Sequence, residues 1–142
     1  MAPLIVAVKF ERLRAVLERI ENRRPDDLAS LERSEDAQDI LVVNLARAVQ
    51  LRVDVGTQLL SNSSRPVPDS MADVFGSLVA LGAITPETAE PLTRAVGFRN
   101  IAVHRYERID WEIVFRVSRT SLDVFRCFAR EVDDWLERRP AP

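Results

Sequence analysis

Residues 110–135 read DWEIVFRVSRTSLDVFRCFAREVDDW. Within them Val114, Val117, Ser121, Phe125, Phe128, Val132 and Trp135 follow one another at steps of three and four residues. That spacing returns each side chain to one face of a helix with 3.6 residues per turn. A strand would need alternation with period two, which the stretch lacks. Asp110 precedes the first turn, where a carboxylate can accept from free backbone amides. The segment is a long amphipathic helix, and its apolar stripe must be buried against other elements.

The same logic extends toward the N-terminus. Thr85-Pro86-Glu87 is a helix start: a capping hydroxyl, proline at the first helical position, then an acid on the positive end of the dipole. From there Ala89, Leu92 and Val96 face inward on a helix expected to run to about Val103. Before it, Met71, Val74, Phe75 and Leu78 mark a helix capped by Asp69 or Ser70 and stopped at Gly82. Residues 61–68, with two prolines and four small polar residues, form the clearest loop.

A long helix is expected from about Asp36 to Leu60, with Ile40, Leu41, Leu45, Ala48, Val49, Val55 and Leu59 as its apolar set. Leu28 to Arg33 fits a short helical turn. The first helix runs from about Leu4 to Asn22, with Val6, Phe10, Leu13, Leu17 and Ile20 on one face. Four or five amphipathic helices on short links imply an all-α, mostly antiparallel bundle, read as one domain over residues 1–142.

Composition narrows the function classes. The hydrophobic fraction of 46% and charged fraction of 30% describe a globular chain, not a disordered one. A single cysteine, Cys127, forbids a disulfide within the chain and fits a reducing, cytoplasmic setting. One cysteine and one histidine also fall short of the usual zinc ligand sets, so no metal site is expected. The apolar opening Leu4-Ile5-Val6-Ala7-Val8 is too short to span a bilayer. The net charge of −2 argues against indiscriminate adhesion to nucleic acid.

One segment stands apart: Arg99-Asn100-Ile101-Ala102-Val103-His104-Arg105-Tyr106. It holds the sole histidine and the sole tyrosine. In a shuffled chain those two would fall two residues apart on the order of once in a hundred trials. Between Arg94 and Arg119 six arginines face Glu107, Asp110 and Glu112, a local excess of three positive charges. A basic patch around a histidine suits a phosphate-bearing ligand. The plainer expectation is that most of these arginines pair with surface acids, as Glu90 would with Arg94.

The chemistry fits metal-free RNA cleavage, in which a 2′-hydroxyl attacks the adjacent phosphate. Histidine moves protons near neutral pH. Arginine holds fixed positive charge where the phosphorane forms. Asn100 offers a supporting hydrogen bond. Five residues turn a helix through about 500°, leaving Arg99 and His104 about 140° apart. Either the helix ends between them, or the site joins groups from two chains related by a two-fold axis. Gly97 would permit close approach of two such helices. Tyr106 follows the helix, with a direct role and simple packing over the bundle end equally open. Asn44, Arg47 and Asp54 interrupt the apolar pattern of the long helix, as a buried polar network or as a partner surface.

Arg99-x4-His104-x-Tyr106 resembles the R-x4-H-x-Y motif of HepT-type toxins, within the HEPN superfamily of helical ribonucleases. Asn44-Leu45-Ala46-Arg47-Ala48-Val49-Gln50, Val53-Asp54-Val55-Gly56, Phe75-Gly76-Ser77-Leu78, Leu81-Gly82-Ala83-Ile84 and Val96-Gly97-Phe98-Arg99-Asn100 resemble the family in the same order. The likeness covers roughly residues 35 to 117. It implies a HEPN-like helical bundle and a homodimer whose motifs meet at a composite cleft. Arg99 and His104 would be catalytic in a metal-independent endoribonuclease that needs no cofactor. It further implies a type VII-like toxin–antitoxin system, whose MntA-type nucleotidyltransferase antitoxin silences the toxin by adding AMP to Tyr106. The alternative is a non-catalytic adaptor that holds substrate for a nucleotidyltransferase, as some HEPN relatives do.

Overall fold

Local capping chemistry sets where the helices begin. In the computed structural model, which describes residues 4–138, six α-helices follow one another: α1 Leu4–Arg23, α2 Leu28–Arg33, α3 Glu35–Ser61, α4 Met71–Leu81, α5 Pro86–His104 and α6 Trp111–Arg138. A 3-10 turn, Tyr106–Arg108, links the last two. Residues 1–3 and 139–142 of the expected 1–142 domain lie outside the described residues. The side chains of Asp27, Ser34, Ser70 and Thr85 each accept a backbone amide at a helix start. The Asp110 carboxylate accepts the amides of Glu112 and Ile113, as its position implied. Gly82 ends α4 at φ 86°, a left-handed conformation that a Cβ would disfavour.

The five longer helices are those read from the periodicity, and the short turn at Leu28–Arg33 makes the sixth. Their directions follow from contacts between distant residues. Lys9 of α1 meets Asp54 of α3, while the far half of α1, through Leu17 and Ile20, shares a core with Leu41 and Leu45. The two helices are therefore antiparallel. Arg24, just after α1, donates to the Ser118 carbonyl, and Phe10 packs on Phe125 and Phe128. So α6 also runs against α1.

Two linked cores result. One gathers Val53, Leu59, Leu60, Phe75, Leu78, Leu92, Val96, Phe128 and Val132 from α3, α4, α5 and α6. The other joins Leu13, Leu17, Ile20, Leu31, Leu41, Leu45 and Val114 at the opposite end. The first core admits a close approach at Gly56. A Cβ there would stand 2.5 Å from Val74 Cγ1, so only glycine lets α3 and α4 touch.

Two polar features hold α6 in place. Arg52 is wholly buried and donates through Nη2 to the Ser121 carbonyl at 3.1 Å. Burial pushes its guanidinium down to about 10, which leaves it charged at neutral pH. Glu131 of α6 accepts the Thr85 amide at 2.6 Å and bonds the Thr88 hydroxyl, so a carboxylate from another helix caps the positive end of α5. Among the described residues no helix is long and apolar enough to cross a membrane.

Candidate active site

The segment singled out from the sequence forms the last turn of α5 and the 3-10 turn beyond it. Helix α5 is unbroken through both Arg99 and His104. Of the two arrangements that spacing left open, a helix ending between them is therefore excluded within the chain. The two side chains leave the helix about 140° apart and separated by about 7.5 Å along its axis. The helix stops at Arg105, whose backbone departs to φ −143°, ψ 54° and whose amide still closes on Ile101.

Helix α3 forms the wall against which this end of α5 lies. Arg99 leans toward it, with Nη2 3.5 Å from Gln50 Oε1. Tyr106 reaches the same helix three turns away, donating its hydroxyl to Asp39 Oδ1 at 2.7 Å. Rising numbers on α5 meet falling numbers on α3, so the two helices are antiparallel here. Asp39, Val43, Ala46 and Gln50 recur at four, three and four residues and form one stripe facing the site. Val43 is exposed within it.

The packing reading of Tyr106 holds, and the residue also stays open to solvent. Its ring packs edge-on against Trp111 with centroids 6.1 Å apart, yet it stays 42% exposed. Burial of the ring, the Asp39 hydrogen bond and charge, and Glu35 one turn earlier together push the phenol up to about 12. His104 is exposed and makes no side-chain hydrogen bond among the described residues. Asn100 is also exposed, its Oδ1 3.4 Å from Arg99 Nη1.

The expectation that most local arginines pair with acids needs correction. Among the described residues Arg94 pairs with Glu90 at 3.8 Å and Arg116 with Glu112 at 3.4 Å. Arg119 instead donates to the Asp26 carbonyl at 2.6 Å and lies over the Phe115 ring. Arg99, Arg105 and Arg108 form no ion pair among the described residues. The reason is placement. Glu107 sits in the 3-10 turn and Asp110 is committed to capping α6, so neither stands one helical turn from these arginines. Within five residues of His104 in the sequence, three arginines are thus without an acid partner among the described residues.

The three polar residues of the long helix do not form one network. Asn44 is buried, its Nδ2 donating to the Ile40 carbonyl at 2.7 Å while Oδ1 has no partner among the described residues. Arg47 is exposed. Asp54 accepts from Gln50 at 2.9 Å and pairs with Lys9 at 3.4 Å, so a polar chain runs from α1 through α3 to Arg99. Asp39, Gln50 and Trp111 escaped the sequence reading as site residues. Gly97 is exposed, and among the described residues a Cβ there would meet no atom within 4 Å beyond its own stretch of helix. Among the described residues no group of three or more histidine, cysteine, aspartate or glutamate side chains is placed to hold a metal ion.

Comparison with known proteins adds independent ground. A family model described as ribonuclease HepT-like matches residues 13–132. An mRNA nuclease HepT of Shewanella oneidensis is 27% identical over 124 residues, 87% of this chain and 92% of that protein. A tRNA nuclease HepT of Aphanizomenon flos-aquae is 26% identical over 139 residues, 94% of this chain and 91% of the relative. Among solved structures, a tri-AMPylated Shewanella oneidensis HEPN toxin in complex with an MNT antitoxin superposes with a TM-score of 0.86 and 26% identity. That match covers 94% of this chain and 99% of the other.

Proposed function

The chain belongs to the HepT-like ribonuclease family and to its endoribonuclease class, and from that premise we propose that it is the toxin of a toxin–antitoxin pair, acting on RNA without a metal at a site shared between two copies. The carrying observation is the continuity of α5 through Arg99 and His104. The pair diverges on one helix, whereas a two-fold axis beside α5 brings the Arg99 of one copy toward the His104 of the other. Gly97, bare on that helix, supports a close crossing.

In this reading the RNA 2′-hydroxyl attacks the neighbouring phosphorus and the 5′-oxygen leaves. His104 carries the protons, taking one from the nucleophile or supplying one to the leaving oxygen. Arg99 holds its charge against the phosphorane. Arg105 and Arg108, without acid partners among the described residues, contact flanking phosphates, and Asn100 supports Arg99. The partner is an MntA-type nucleotidyltransferase antitoxin that transfers AMP to Tyr106. The added group brings bulk and negative charge two residues from His104, where an RNA phosphate would otherwise sit. The cytoplasm, with its RNA and its reducing conditions, is the setting, and residues 1–142 act as one domain.

Purified protein should cut single-stranded RNA in EDTA, and the His104→Ala variant should not. Equal cleavage by the variant would reject the assignment. The shared site has its own test. Arg99→Ala and His104→Ala chains, each inactive, are mixed and allowed to exchange. Half the dimers are then mixed, and one of their two sites is intact, so about a quarter of the wild-type rate returns. No recovery would mean that each copy works alone. Intact-mass measurement with ATP and the antitoxin should show AMP on the wild type and none on Tyr106→Phe.

A further inference from the structure

A tyrosine that accepts a nucleotidyl group must lose its proton as it attacks. The Tyr106 hydroxyl is poorly prepared to lose it in advance. Its ring is packed on Trp111 and half-covered, and the charges acting on the hydroxyl are those of Asp39 and Glu35 on α3, both negative. Both oppose a phenolate. At neutral pH the hydroxyl is therefore protonated, and a free phenolate is too scarce to be the working nucleophile. A base within hydrogen-bond reach is needed at the moment of attack.

One is already in place. Asp39 Oδ1 accepts the Tyr106 hydroxyl proton at 2.7 Å across a separation of 67 residues. Two independent pieces of local structure fix that contact. The 3-10 turn and the Trp111 edge set the phenol at the end of α5. Asp39 stands in the second turn of α3, whose start is fixed by the Ser34 cap. Asp39 makes no ion pair among the described residues, so its carboxylate is not committed to a cation.

We propose that Asp39 is the general base for modification of Tyr106, so that this chain supplies part of the chemistry by which it is silenced. This rests on the reading of Tyr106 as the AMP acceptor. In the step, the Tyr106 oxygen forms a bond to the α-phosphorus of ATP. The bond from that phosphorus to the bridging oxygen breaks, and pyrophosphate leaves with its electron pair. The hydroxyl proton passes to Asp39. The proton transfer is late: as the new P–O bond forms, the phenolic oxygen becomes positive and its proton acidic enough for a carboxylate. The same contact aims the oxygen, since a hydrogen bond to Asp39 limits rotation of the hydroxyl.

The test uses the full chain, an MntA-type nucleotidyltransferase antitoxin and magnesium ATP, with AMP transfer followed by intact mass at a series of pH values. Asp39→Asn keeps an accepting oxygen at the same place but cannot take a proton. Transfer to it should be about 10²–10⁴-fold slower at neutral pH. Its rate should also rise tenfold per pH unit, because only the spontaneously formed phenolate reacts. The wild-type rate should be nearly flat over the same range. Asp39→Glu should recover part of the loss. Asp39→Asn should unfold in urea at a midpoint close to that of the wild type, which separates this role from a folding defect. Transfer to Asp39→Asn at the wild-type rate, or a slowing with the wild-type pH profile, would overturn the role of Asp39 while leaving Tyr106 as acceptor. Absence of transfer to the wild type itself would overturn the acceptor reading, and the role of Asp39 with it.

Discussion

The two ends of α5 are built on opposite terms. At its N-terminal half, Ala89, Leu92 and Val96 enter the core beside Phe75 and Phe128, and Thr85, Thr88 and Glu131 satisfy the first turn. At its C-terminal end, Ile101, Val103, His104 and Tyr106 are exposed, and Arg99 makes only long contacts to Gln50 and Asn100. The first end gains stability from dense packing and loses nothing in unmade polar bonds. The second leaves donors and charges unspent. An end with so few internal contacts contributes little to folding.

That contrast is open to attack from either side. The largest expected effect is on chemistry alone. His104→Ala should lower RNA cleavage by about 10²–10⁴-fold, yet change the unfolding free energy by no more than about 0.5 kcal/mol, because the side chain is exposed. Urea unfolding beside a cleavage assay would check both halves, and a large stability loss would break the contrast. Phe128→Ala should do the reverse. Its ring is fully buried between Phe10 and Phe75, and its loss should cost about 3–5 kcal/mol.

Gly56→Ala is a smaller probe of the packed region. The new methyl would collide with Val74, and relief requires the Val74 side chain or α4 to shift, at about 1–3 kcal/mol. A midpoint in urea equal to that of the wild type would show that the contact yields freely. The mildest effect belongs to the exposed end. Tyr106 is the sole tyrosine, so absorbance near 295 nm reports its ionisation directly. The folded chain should titrate near 12, and Asp39→Asn should move the midpoint toward 10. The sign for stability follows. The folded state holds the proton above the pH at which the unfolded chain releases it. This small contribution is complete below about pH 10 and lost as the pH rises toward 12.

The packed region was legible in the sequence because burial leaves periodic marks. Val114 to Trp135 announced α6, and Thr85-Pro86-Glu87 announced the start of α5. Arg52 was not legible. It is one charged residue on an apolar face, and only the Ser121 carbonyl, 69 residues away, explains it. The arrangement of the site was half visible. The sole histidine and sole tyrosine drew attention to Arg99–Tyr106, and helical geometry separated Arg99 from His104 before any fold was known. Asp39 left no such mark, since an exposed acid on a helix surface is ordinary and its bond to Tyr106 depends on how α3 and α5 pack. Likewise, the unpaired state of Arg105 and Arg108 depends on Asp110 being spent as a cap, which counting charges cannot reveal.

The Glu131 carboxylate lies about 28 Å along α5 from His104. It serves as a datum for α5: a contact made by α6 fixes where the helix begins, and the heights of Arg99 and His104 along the bundle are counted from there.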